Sequence, residues 1–388
     1  MTSERSIVEA ASRLRKQSEP YLVATFVATT GPAYRRPGAR MLLTRFRWVA
    51  GNVTGGCLEG DVARNAWAET RGDAVKVMTY DSSTPIDDDD LRSAFGLGYD
   101  GKVEVLMERA GETALELGRI DALEVAARCF ATQKRGAVAT VFEGDGEQRV
   151  GARIALIGND IEEENDSTLT GMLRERLIGE LKSTAQRGIT TTKCFDTGRG
   201  SVRVLVEAIA PPPTLFVFGT GHDAVPLVKL AKDLGWAVVV CGKEPKHATR
   251  ERFSVADDLL SCDLAEVATR IEACDRAVGI VIGHDHDRDR DVLSMLLGTK
   301  ARFIGVVGPV SRTSRMLAEL NRGSDRRIHA AADIGIDAPQ EAALALLADI
   351  QDTLKAPAFV EVPVQRTPTD ERPYAERTSA VFAVAAAL

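Results

Sequence analysis

Ahead of residue 211 the chain repeats itself, and a repeat restricts the fold more tightly than composition can. Val23-Ala24-Thr25-Phe26 recurs as Val138-Ala139-Thr140-Val141, and Gly38-Ala39-Arg40-Met41 as Gly151-Ala152-Arg153-Ile154. Residues 75–81 then resemble 191–197, and 103–109 resemble 202–208. All four segments are short and β-branched, as strands are. Strands resemble one another by composition, but chance does not keep four of them in one order at similar spacing. Two related α+β halves, about 20–110 and 136–210, are expected to build an N-terminal domain spanning 1–210.

Three prolines, Pro211-Pro212-Pro213, follow. They supply no backbone donors and impose an extended connection, which places the main boundary there. Beyond it, strand and helix patterns alternate: strand 214–219, helix 222–234, strand 236–241, strand 277–283, helix 289–297, strand 302–307, helix 311–321 and helix 339–354. Such alternation predicts a parallel sheet covered by helices, so the expected class is α/β with a Rossmann-like domain over 214–355. Residues 356–388 lack periodicity and are expected to form a tail. The opening twenty residues suggest a polar helix rather than a signal peptide.

Whatever one half has and the other lacks is not demanded by the shared framework. The first half alone carries Gly51-Asn52-Val53-Thr54-Gly55-Gly56-Cys57-Leu58-Glu59, against a helical pattern at 168–177, and an acidic, glycine-containing insertion at 82–100. Function is expected to concentrate there. Cys57 opens a helical pattern over 58–70 in which Leu58, Val62 and Trp67 share a face. At a helix N-terminus, unpaired amides and the helix dipole favour the thiolate, making Cys57 a candidate nucleophile, sulfur carrier or metal ligand. Gly55 and Gly56 permit positive φ and could present amides to a phosphate, with Arg35, Arg36 and Arg40 as cationic forks. The alternative is a buried cysteine in a tight strand-to-helix turn.

Gly219-Thr220-Gly221-His222-Asp223-Ala224 follows a strand and opens a helix, matching the G-x-G-x-x-A form of the dinucleotide fingerprint. The acid that would hold a ribose at the end of the next strand is displaced, since Cys241-Gly242-Lys243-Glu244 stands there. Lys243 would suit a 2′-phosphate, Glu244 could replace the acid, or another nucleotide-like ligand could bind. His284-Asp285-His286-Asp287 lies where open α/β sheets bind ligands, with a metal, a ligand contact or a solvated loop as readings. Ser311-Arg312-Thr313-Ser314-Arg315 offers anion contacts or an N-cap. The run 87–90 has no calcium-loop spacing and is assigned no site. His247 and His329 have no sequence partner and are taken as surface or satisfied core residues.

The net charge of −7 and pI near 5.5 argue against sequence-independent binding of nucleic acid or anionic membrane. No apolar run reaches the roughly 20 residues of a bilayer span, so a cytoplasmic location is expected. Six scattered cysteines without a C-x-x-C pair suggest neither a disulfide framework nor a zinc ribbon.

Several segments in order resemble the XdhC/CoxI family, accessory proteins of molybdenum-cofactor enzymes: Arg36-Pro37-Gly38-Ala39-Arg40-Met41, Gly55-Gly56-Cys57-Leu58-Glu59, Gly219–Ala224, Arg252-Phe253, His284-Asp285 and Ser311-Arg312-Thr313, then 335–342. The resemblance implies a homodimer that binds the molybdenum cofactor, assists its sulfuration and delivers it to an apo molybdenum hydroxylase, with a cysteine desulfurase as a further partner. It implies Cys57 and Glu59 as catalytic residues, with Cys57 also a candidate molybdenum ligand. Cofactor contacts would come from Arg36, Arg40, Gly55, Gly56, Gly219, Gly221, His222, Lys243, His284, Asp285 and Arg312. The second cysteine that family members often place before the Val-Glu-Val-Leu strand is absent, because 98–101 reads Gly-Tyr-Asp-Gly. The glycine-serine pair usual before Arg312-Thr313 is replaced by Gly308-Pro309-Val310-Ser311. Two other readings stay open: an NAD(P)-dependent oxidoreductase acting on a small molecule, and a dimeric scaffold without turnover.

Overall fold

A computed structural model describes residues 3–354 apart from 32, 34, 57, 74, 82–100, 112–113, 115, 145–146, 165–167, 199, 243–246, 262, 323–324 and 332–337. The first half runs α1 (Glu4–Lys16), β1 (Tyr21–Thr30), β2 (Arg40–Thr44), β3 (Trp48–Gly51), α2 (Glu59–Glu69), β4 (Lys76–Asp81) and β5 (Lys102–Ala110). The second runs α3 (Ala122–Thr132), β6 (Gly136–Glu143), β7 (Arg153–Ile157), β8 (Asp160–Glu163), α4 (Gly171–Arg187), β9 (Thr191–Asp196) and β10 (Ser201–Ile209). Each half forms a five-stranded antiparallel sheet, ordered β3-β2-β1-β5-β4 and β8-β7-β6-β10-β9. The orders are identical, and so is a bulge, at Val27 in β1 and at Phe142 in β6. The register corrects the sequence alignment at one point. Lys76 opposes Met107 as Thr191 opposes Val206, so β4 and β9 correspond one residue away from the 75-to-191 match.

The bulges serve packing, because an extra residue turns a side chain out of the pleat. Val27 and Phe142 meet Leu106 and Leu205 in a small buried cluster contributed by both halves. Helix α1 departs from the expectation of a polar helix. Its Ile7, Val8, Ala10, Ala11 and Leu14 are buried, in a core shared with Leu123, Val125 and Ala126 of α3 and with strands of both sheets. Polar residues on its remaining faces hid this stripe.

From Thr214 the chain runs β11 (Thr214–Phe218), α5 (Ala224–Asp233), β12 (Ala237–Gly242), α6 (His247–Arg252), β13 (Asp258–Ser261), α7 (Leu264–Ala273) and β14 (Ala277–Val281). It continues through α8 (His286–Leu297), β15 (Phe303–Val307), α9 (Val310–Glu319), β16 (Ile328–Ala331) and α10 (Pro339–Leu354). The six strands are parallel in the order β13-β12-β11-β14-β15-β16, the doubly wound arrangement of a Rossmann domain. Burial on both faces explains the unbroken apolar runs of β11 and β14, since helices cover each side of a parallel sheet. Periodicity did not reveal β13, β16 or the helices α6 and α7. The two strands are four residues long and lie at the sheet edges, where little apolar periodicity is required.

Candidate functional site

Cys57, the acidic insertion 82–100, Lys243 and Glu244 lie outside the described residues, as does the tail from 355. The turn around Cys57 is described on either side of it. Gly51 ends β3 with φ of 74°, and a Cβ there would stand 2.1 Å from the Arg40 carbonyl oxygen, so only glycine fits. Gly55 and Gly56 also have positive φ, 103° and 134°, but open space beyond them. Backbone conformation, rather than crowding, selects glycine at these two positions.

The amides of this turn are already used. Those of Val53, Thr54 and Gly55 donate to Glu59 Oε1 at 3.0, 2.8 and 3.1 Å, and the Gly56 amide to Oε2 at 2.8 Å. The Thr54 hydroxyl adds a bond to Oε2 at 3.0 Å and accepts the Leu58 amide at 3.2 Å. Burial opposes ionisation of Glu59, but these donors outweigh it and hold its carboxyl below the usual range. This corrects two sequence expectations. Gly55 and Gly56 do not offer free amides to a phosphate, because Glu59 fills that nest. Glu59, 1% exposed and implied as a catalytic residue, is committed as an ionised clasp for the loop.

Arg40 is likewise committed. Its Nη2 donates to Glu207 Oε2 of the second half at 2.7 Å, and both side chains are buried. Burial pushes the Glu207 carboxyl up, despite Arg40 beside it. Arg36 is exposed, and Arg35, Arg36 and Arg40 line one cavity between the halves, whose lining does not include the glycine turn. The three arginines therefore converge on that cavity rather than on the glycine turn.

In the Rossmann domain four of the expected residues converge. A cleft of about 230 Å³ at the carboxyl ends of β11, β12 and β14 is lined by Gly219, Gly221, His284 and Asp285 among others. A Cβ on Gly219 would stand 2.6 Å from the Ile282 carbonyl oxygen, so glycine lets the loop cross β14 closely. At Gly221 the nearest atom to such a Cβ is 3.8 Å away, leaving that face of the loop to a ligand. His222 is exposed and outside the lining. His284 is exposed, with Nε2 3.7 Å from Asp223, whereas His286 turns to Glu319 at 3.1 Å. The two imidazoles thus diverge, and among the described residues no cluster of three or more His, Cys, Asp or Glu could hold a metal ion. Asp285 caps α8 by accepting the Arg288 amide at 3.3 Å.

Two cleft residues went unnoticed in the sequence. Asp289 is buried under Gly283, where a Cβ would stand 2.2 Å from its Oδ1, and it accepts from Arg312 Nη2 at 2.5 Å. Burial raises the Asp289 carboxyl while Arg312 pulls it down. Arg312 therefore acts through Asp289 instead of lining the cleft itself. Arg288 lines the cleft beside it. The signal was present: α8 begins at 286 rather than 289, which places Asp289 one turn inside the helix. At the end of β12, a Cβ on Gly242 would meet Thr220 Cγ2 at 2.6 Å, so a side chain there would require Thr220 to shift. The loop is further held by Arg252, whose Nη1 donates to the Thr220 carbonyl at 2.6 Å.

A duplicated antiparallel module carrying a clasped glycine turn, followed by a doubly wound domain with an open switch-point cleft, defines a two-part α/β protein of Rossmann type. Residues 215–350 match the family model described as the XdhC Rossmann domain, and residues 14–81 that of the XdhC and CoxI family. The chain belongs to the XdhC/CoxI family. It is 27% identical over 354 residues to a protein of Bacillus subtilis strain 168 described as a probable xanthine dehydrogenase subunit, covering 89% of this chain and 97% of that one. A crystal structure from Bacillus halodurans, described as a xanthine dehydrogenase, shares the fold with a TM-score of 0.70 at 21% identity, covering 93% of this chain and 98% of that one. Among the described residues no helix is long and apolar enough to cross a membrane.

Proposed function

We propose that this chain is an accessory protein that binds the molybdenum cofactor, assists its sulfuration and delivers it to a molybdenum hydroxylase. The observation that carries this reading is the family match, which takes in both the glycine turn around Cys57 and the Rossmann domain. The Bacillus subtilis relative's description as a probable xanthine dehydrogenase subunit supports a hydroxylase of that kind as the client.

The chain's residues divide the work. The cleft at Gly219 and Gly221 suits the phosphate end of the cargo, since glycine allows close backbone approach at the opening of α5. Cys57 supplies a thiolate able to ligate molybdenum or relay sulfur, and Glu59 organises the loop on both sides of it. With one cysteine in the turn, a second thiol would come from a partner, either another copy or a cysteine desulfurase.

The test is cofactor retention. Purified chain and its Cys57→Ala variant are incubated with the isolated cofactor, desalted and assayed for molybdenum and pterin, then mixed with apo-hydroxylase. Retention and transfer by the parent, with molybdenum retention lost in the variant, are expected. Equal retention by both would remove Cys57 from the function; no retention by either would remove the carrier reading.

A further inference from the structure

Duplication makes each half a control for the other, and at the Arg–Glu pairs the halves are unequal. Arg153 makes four bonds: Nε donates to Thr140 Oγ1 at 3.0 Å, Nη1 to Glu108 Oε2 at 2.8 Å and to the Ile120 carbonyl at 3.0 Å, and Nη2 to Glu108 Oε1. Arg149 pairs with the buried Glu164. In the first half Thr25 opposes Arg40 as Thr140 opposes Arg153, yet among the described residues Arg40 makes one bond, to Glu207. Its side chain is 6% exposed, and its buried Nε has no hydrogen-bond partner among the described residues.

A second inequality, at the arginine of the preceding turn, traces to one position. Met41 pairs with Gly51 as Ile154 pairs with Glu163, so the next residues, Asn52 and Glu164, correspond. Arg36 holds the place of Arg149, as the shared turn bonds Ala39 N to Arg36 O and Ala152 N to Arg149 O show. Where the second half has a carboxylate for its arginine, the first has a neutral amide, and the buried Asn52 Oδ1 also lacks a partner among the described residues. Arg36 is left exposed, without an ion pair among the described residues. Beside it opens a cavity of about 390 Å³ walled by Arg35, Arg36, Arg40, Thr190, Glu207 and Glu4.

We infer that this cavity between the halves is an anion site that takes the phosphate of a phosphomonoester. Arg35 and Arg36 present planar forks suited to bidentate contact with a tetrahedral oxyanion, and the buried Arg40 Nε supplies a donor that burial has left unmatched. The volume falls in the range of about 300–1,000 Å³ typical of small-molecule sites, more than a bare phosphate fills. Ile7, Pro37 and Leu123 add apolar wall for an organic body. The site is separate from the Rossmann cleft proposed for the cargo's phosphate, and it reassigns Arg36 and Arg40, which the resemblance implies as contacts of the molybdenum cofactor, to a second ligand.

Calorimetric titration of the full chain with inorganic phosphate and with ribose 5-phosphate tests it. The ester is expected to bind more tightly than phosphate. Arg36→Ala should weaken the ester by about tenfold or more, the loss of a charge-assisted bond. Asn52→Glu, which restores the second half's carboxylate, should do the same, while Arg174→Ala, an exposed cation of the second half, should change nothing. Because Arg36 is exposed, its variant keeps the test valid if Asn52→Glu fails to fold. Absence of binding, equal binding by parent and Arg36→Ala, or equal weakening by Arg174→Ala would overturn the site. Phosphate binding as tightly as the ester would overturn the phosphomonoester.

Discussion

Arg40 of the first half bonds Glu207 of the second at 2.7 Å, and Arg153 of the second bonds Glu108 of the first: one contact, made twice in opposite directions. Gly38 sits against Thr190 across the junction as Gly151 sits against Val75, so the reciprocity extends to the turns. This is the geometry of a two-fold interface, drawn within a single chain.

The two pairs should differ in what their loss costs. Glu108→Gln leaves Arg153 charged and buried with a partner removed, a situation that costs about 3–5 kcal/mol. Glu207→Gln lies on the cavity, which can admit water to Arg40, and should cost nearer 1–2 kcal/mol. Urea unfolding of both variants decides the matter; equal losses would show that the cavity brings Arg40 no relief.

Glu59→Ala removes the acceptor for four amides and a hydroxyl, leaving half-buried donors unmatched, and should destabilise the first half by about 2–4 kcal/mol. Glu59→Gln keeps one acceptor oxygen and should cost less. The folded carboxyl lies below its unfolded value of about 4.3, so its stabilisation is complete above that pH and fades as pH falls through the folded value. A denaturation series from pH 7 to 3 should show the parent converging on the Gln variant in acid. Parallel curves would dismiss the clasp.

Much of this was legible in the chain, for physical reasons. Strands of a duplicated sheet must keep the same inward positions, so the repeat could be read from Thr25, Arg40 and their counterparts. The parallel sheet announced itself through runs such as Ala277–Val281, buried on both faces. The clasp was not legible. A glycine turn ahead of a helix looks like an anion nest whether its occupant is a ligand or a glutamate three residues on. Nor did sequence spacing show that Arg40 crosses 167 residues to Glu207, since only register within a tertiary interface brings them together.

Helix α1 joins the two parts of the chain through a titratable contact. Arg5 Nη2 meets Asp257 Oδ1 at 2.6 Å, Arg5 Nη1 donates to the Trp236 carbonyl at 2.9 Å, and Lys232 Nζ meets Asp257 Oδ2 at 2.8 Å. Burial resists ionisation of Asp257, but Arg5 and Lys232 prevail and lower its carboxyl. Its contribution is therefore present above the unfolded value of about 3.9 and lost as pH falls through the lower folded one. Asp257→Asn should cost about 1–2 kcal/mol at pH 7 and make α1 amides exchange faster by hydrogen exchange. Unchanged α1 protection would mean that the apolar face alone anchors this helix.

Gly219 and Gly221 give the sharpest contrast, because one substitution tests the fold and the other the cleft. Alanine at 219 would place its Cβ 2.6 Å from a backbone oxygen, at a φ of 152° that side chains rarely adopt. The loop must shift, at about 1–3 kcal/mol, and the cleft shifts with it. Alanine at 221 meets nothing closer than 3.8 Å, so Gly221→Ala should melt within a few degrees of the parent. Its methyl group would nonetheless occupy the surface that a phosphate group would approach. If the cleft holds a nucleotide-type ligand, titration with NAD, NADP or the molybdenum cofactor should find affinity reduced about tenfold or more in Gly221→Ala at unchanged stability. Full affinity in that variant would place the ligand away from the loop.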